Sequence, residues 1–195
     1  MINNLNLSNL QKEFKESPFQ EFAIKIYNLS IYVEQIQSHL KNLGMDISHL
    51  IPHIITKLNS FLEDLRNSKD ISQKLAHYFI KSFLITIDLE AYTIFSNQFP
   101  PINQQNLRSL NTKLAECRSV EGMQELLQEL GIEELNIIAF QTHADERYGL
   151  EVAEIKCLSD IPNMWNRKVG VIIQRGWKKD NAVLEKAIVI KLLRE

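Results

Sequence analysis

Residues 169–191 read VGVIIQRGWKKDNAVLEKAIVIK: two runs of branched aliphatic residues separated by a glycine, a tryptophan and the polar loop KKDN. Branched residues fit a pleated, half-buried surface, and two such runs across a polar loop predict a β-hairpin. Its place near the carboxyl end decides the fold class, because the patterns before it are helical. Working back from it, Val152–Cys157 and Ile137–Phe140 are further short β-prone runs, and Val183–Leu192 is expected as one strand.

Upstream of residue 131 the helical period dominates. Phe22, Ile26, Leu29, Val33, Ile36, Leu40 and Leu43 recur at three- and four-residue spacing, which predicts one buried stripe. Ser17 and Pro18 are the expected cap and first helical position, and Gly44 the stop. Helices are predicted near 18–43, 48–67, 70–96, 105–116 and 120–130. Pro52 is tolerated only in a first turn. The third helix carries an unusually wide apolar face, which needs covering from more than one side. NQFPPINQQN breaks the pattern after it. The expected fold is α+β: a helical region over 1–130, then a small, mostly β domain over 131–195.

The chain has 195 residues, 45% of them hydrophobic, and a formal net charge of −2. That is ample for a core, and the near-balanced charge carries no nucleic-acid footprint. The amino terminus has no signal-peptide pattern, and the window FIKSFLITIDLEAYTIF is too short and too charged to span a bilayer. Two cysteines forty positions apart form neither a CxxC pair nor a disulfide framework. A reduced cytoplasmic setting, with no membrane and no nucleic-acid partner, is expected.

Catalytic motifs are missing from the pattern. There is no Walker loop, GxGxxG fingerprint or GxSxG elbow. His49 and His53 stand four apart, with Asp46 nearby, but lack a third ligand and have Pro52 between them, so they read as ordinary surface histidines. The cluster THADE (Thr142–Glu146) holds an acid and a base, in what reads as a solvated loop. No catalytic residue, metal or cofactor is assigned, and the chain is not read as an enzyme.

QRGWKKDNAVLEKAIVI resembles the last hairpin of the GrpE family, the nucleotide exchange factors of DnaK-type heat-shock chaperones. That family's pattern runs Q-K-G-Y, a short polar loop, then L-R-x-A-x-V. Gln174, Arg175, Gly176 and Trp177 match its first part; Leu184, Ala187 and Val189 match its second. Glu121–Leu135 is similar to the family's passage into its β domain, and Asp145 and Val152 stand within a similar following loop and strand. Phe79–Asp88, FIKSFLITID, is similar to the family's F-I-x-x-L-L-P-V-I-D helix, with Asp88 on its aspartate. These segments keep the family's order over roughly residues 75–190.

The resemblance implies a helical stalk or bundle that forms a homodimer, bearing a β domain that wedges against the chaperone's nucleotide-binding domain and promotes ADP release. It implies a co-chaperone of protein folding and the stress response. Partner contacts are expected from Asp145, Arg147, Gly176, Trp177, Asn181 and Glu185. For Trp177 an exposed anchor and a cap on the β domain's own core stand level. Asp145 and Arg147 read more readily as loop solvation than as contacts. Ala182 and Glu185 replace family arginines, and Gly149 replaces a loop histidine, which implies a dedicated, divergent partner. A non-exchanging interaction or scaffold protein of the same fold is the alternative.

Overall fold

The computed structural model describes residues 12, 15, 20–64 and 71–195, with Glu146 described by its backbone. The cap expected at Ser17 and Pro18, and Leu65 with the end of the helix predicted over 48–67, lie outside the described residues. Among the described residues no helix is long and apolar enough to cross a membrane.

Two compact units divide the chain. The first takes residues 1–79 and 119–131. Helix α1 (Gln20–Asn42) buries Ile26, Leu29, Val33, Ile36 and Leu40 of the expected stripe, together with Ala23, while Phe22 and Leu43 are half-buried. Gly44, with φ of 85°, follows its end, and Met45 N–H returns to Leu40 O at 2.9 Å. Helix α2 (Ile51–Asp64) carries Pro52 in its first turn, where a missing N–H costs no helical bond. It buries Ile54, Leu58 and Phe61. Helix α3 (Ile71–Phe79) sets Tyr78 edge-on to Phe61, ring centroids 6.1 Å apart. After the second unit's helices the chain returns as α6 (Met123–Leu130), which ends on the left-handed Gly131.

The second unit takes residues 80–118 and 132–195. It opens with a π-helical turn, Ile80–Leu84, and continues as α4 (Ile85–Ser96) and, after the proline break, α5 (Gln104–Arg118). Residues 71–96 are helical but not one regular α-helix, and residue 70, where the expected helix begins, lies outside the described residues. The π turn buries Ile80, Phe83 and Leu84.

Six strands follow: β1 (Glu133–Glu134), β2 (Leu150–Leu158), β3 (Val169–Gln174), β4 (Trp177–Lys179), β5 (Ala182–Glu185) and β6 (Ala187–Arg194). They form two three-stranded sheets, ordered β1-β4-β5 and β2-β6-β3. The predicted hairpin forms and belongs to both. β3 pairs antiparallel with β6, and β4 pairs antiparallel with β5. At the tip, Asp180 and Asn181 have φ of 49° and 65°, the left-handed pair of a two-residue turn that suits Asn and Asp. β2 runs parallel to β6.

Two strand expectations need correction. Val183–Leu192 is not one strand: it breaks at Lys186, where the ribbon passes from one sheet to the other. Ile137–Phe140 is not a strand. Phe140 has φ of 66° and stacks on Trp165 at 4.0 Å, while Ile138 N–H is taken by Thr142 Oγ1 at 2.9 Å. Ile137 still enters a core cluster with Ala144, Leu150, Val169, Ile172, Ala187 and Val189. Nor do the compact units divide at residue 131, where helix gives way to strand. Residues 80–118 belong with the β region, and α4 and α5 lie against β3.

Candidate partner-binding site and its buried anchor

The site is built on a carboxylate that α4 carries into the core. Asp88, in the first turn of α4, is fully buried. An unpaired charge there would be several kcal/mol unfavourable, and the chain supplies partners 87 residues later. Arg175 donates its backbone N–H to Asp88 Oδ2 at 2.8 Å and Nε–H to Oδ1 at 2.9 Å, and its Nη2 lies 2.9 Å from Oδ1. Arg118, at the end of α5, brings Nε within 3.5 Å of Asp88 Oδ1 and donates from Nη2 to Ile172 O at 2.6 Å. Glu134 Oε2 stands 3.7 Å from Arg175 Nη1.

Two guanidiniums and two carboxylates thus tie α4, α5, β1 and the β3–β4 corner together. Burial pulls the Arg118 pKa down, against the attraction of Asp88. Burial pushes the Glu134 pKa up, against Arg175 and Arg118. The Arg175 guanidinium also lies 4.8 Å from the Trp177 ring centre, a cation–π contact.

This anchor settles the corner residues. Trp177 is fully buried, so of the two roles expected for it the core cap is the one the fold adopts. A surface anchor is ruled out because no part of the ring reaches solvent. Its Nε1 has no acceptor among the described residues. Gly176 is also internal: a Cβ there would lie 2.5 Å from Leu135 Cδ1 and 2.7 Å from Ala187 N. Both shape the corner from within.

The other expected residues are at the surface. Arg147 closes on Asp145 through its backbone N–H at 3.0 Å and through Nη2 at 2.7 Å. The side-chain bond from Arg147, then its backbone N–H, holds the Asp145 carboxyl down at about 2. Asn181 is exposed in the β4–β5 turn. Glu185 is ion-paired with Lys81 of the π-helical turn.

The 145–149 loop reaches β5, since a side chain at Gly149 would begin 3.6 Å from Val183 Cγ2. Tyr148 of that loop and Val183 of β5 are both apolar and about half exposed, at 52% and 50%. Sequence reasoning missed both: Val183 sits in an aliphatic run that reads as core, and Tyr148 in a loop that reads as solvated.

Among the described residues no group of three or more His, Cys, Asp or Glu side chains could hold a metal. His49 lies in the turn before α2 and His53 inside it, so the two do not share a helix face. Cys117 is buried, with its thiol pushed up to about 11 by desolvation, and Cys157 is exposed. The chain matches no protein-family model and no curated protein.

Proposed function

We propose that this chain is a GrpE-like co-chaperone, which binds the nucleotide-binding domain of a DnaK-type chaperone through its β region and promotes ADP release. The observation that carries the reading is the Asp88–Arg175 pair. It joins the two most family-like segments, FIKSFLITID and QRGW, which lie far apart in sequence, into one buried anchor. The proposed contact is made by Arg147 and Tyr148 of the 145–149 loop with Asn181, Val183 and Glu185 of the β4–β5 ribbon.

The work is done by binding alone. A protein that prefers the open, nucleotide-poor state of its partner must weaken nucleotide binding by the same factor, commonly about 5- to 150-fold. Stopped-flow release of a fluorescent ADP from a DnaK-type chaperone, with this protein titrated in, tests the activity. Release should accelerate and saturate with concentration.

One observation favours a second reading. Trp177 and Gly176 point inward and Glu185 is already paired, so fewer groups than expected are free to pry a cleft open. A scaffold protein of the same fold would form the complex and leave the release rate unchanged. Absence of any complex would sink both.

A further inference from the structure

The two edges of the β2-β6-β3 sheet are treated differently. Helix α5 seals the β3 edge: Asn111 Nδ2–H donates to Gly170 O at 2.8 Å, and Arg118 Nη2–H to Ile172 O at 2.6 Å. At the other edge, among the described residues, β2 pairs with β6 alone. Among the described residues no hydrogen bond reaches the outer edge over residues 151–157. A nine-residue strand with an open edge is a template for another strand.

Charges on an edge ordinarily discourage such pairing. Here their order reverses the effect. Glu154 and Lys156 flank Ile155 symmetrically, and within one chain they pair with each other. Suppose a second β2 runs antiparallel about a two-fold axis at Ile155. Glu154 of each copy then faces Lys156 of the other, twice, and the half-exposed Ile155 meets itself. Moving the axis one residue either way places Glu154 on Glu154 or Lys156 on Lys156. Opposed like charges are unfavourable, so one register is favoured over its neighbours. The irregularity between Val152 and Glu154 lies at the margin of this contact and leaves residues 154–158 regularly paired to β6.

We propose that β2 is a homodimer interface, and that its occupant is β2 of a second copy, antiparallel about Ile155. The test is sedimentation equilibrium of the full chain at low salt, with Glu154→Lys, Lys156→Glu and the double exchange. All three variants alter exposed or half-exposed side chains, and circular dichroism checks that the fold is kept. The wild type should dimerise. Each single exchange should raise the dimer Kd about tenfold or more, since it turns two attractive pairs into two repulsive ones. The double exchange should restore the Kd to within a few-fold of wild type.

Three results would overturn the proposal. One is a wild type that stays monomeric at high concentration. Another is a dimer indifferent to the single exchanges, which would locate the contact elsewhere, for instance in the helical region. The third is a double exchange that behaves no better than the singles.

Discussion

Asp88 holds the second unit's ion network, and its removal tests that network most directly. Asp88→Asn keeps the volume and an acceptor for the Arg175 N–H but leaves two guanidiniums without their shared charge. Breaking a buried pair from one side costs about 3–5 kcal/mol. We expect a loss of that size, seen as a lower urea midpoint at unchanged slope. Arg118→Met should lose less, because its nearest approach to Asp88 is the longer one, 3.5 Å. Equal losses would mean that Asp88 is not the hub. At this scale the sequence offered half a signal. A carboxylate inside FIKSFLITID, an otherwise apolar helical run, has to be paired if it is buried. Which arginine pairs with it cannot be read from local pattern, because Arg175 comes from a corner 87 residues away.

Among the elements, the β3–β4 corner is where sequence and packing constrain each other most tightly. Gly176 faces Leu135 on one side and the Ala187 backbone amide on the other. Gly170 faces the Leu192 side chain, at 2.5 Å from Cγ. A leucine can change rotamer; a paired backbone cannot move without breaking its ladder. Gly176→Ala should therefore cost about 2–3 kcal/mol and Gly170→Ala less, read from thermal unfolding of each variant. The reverse order would place the rigid contact at Gly170. The hairpin and the α1 stripe were legible because each repeats its period over many residues. The segment 137–140 misled for the opposite reason. Four apolar residues in a row satisfy the strand pattern, yet one left-handed residue, Phe140, and one side-chain bond to Thr142 suffice to turn the chain.

For the whole molecule, the interleaving of the two units was not legible. Periodicity locates the passage from helix to strand at 131, but not that residues 80–118 pack with the strands. That placement gives Glu185, one of two residues standing where the GrpE pattern has arginine, its internal partner Lys81. Its charge can therefore matter in two ways: a chaperone can read it, or it can fasten β5 to the π-helical turn. Glu185→Arg alone confuses the two, because it also sets two cations together. Lys81→Glu with Glu185→Arg keeps an ion pair and reverses its polarity. In binding to a DnaK-type chaperone, followed by surface-immobilised titration, we expect the single and double variants to shift affinity alike, because the charge at 185 is what the partner meets. A double variant that regains wild-type affinity while the single does not would show the pair to be structural and leave the contact to Arg147, Tyr148, Asn181 and Val183. Rim charges act mainly through association rate and salt dependence, so the shift should shrink as ionic strength rises. An effect on affinity that persists undiminished in high salt would count against a direct charge contact at Glu185.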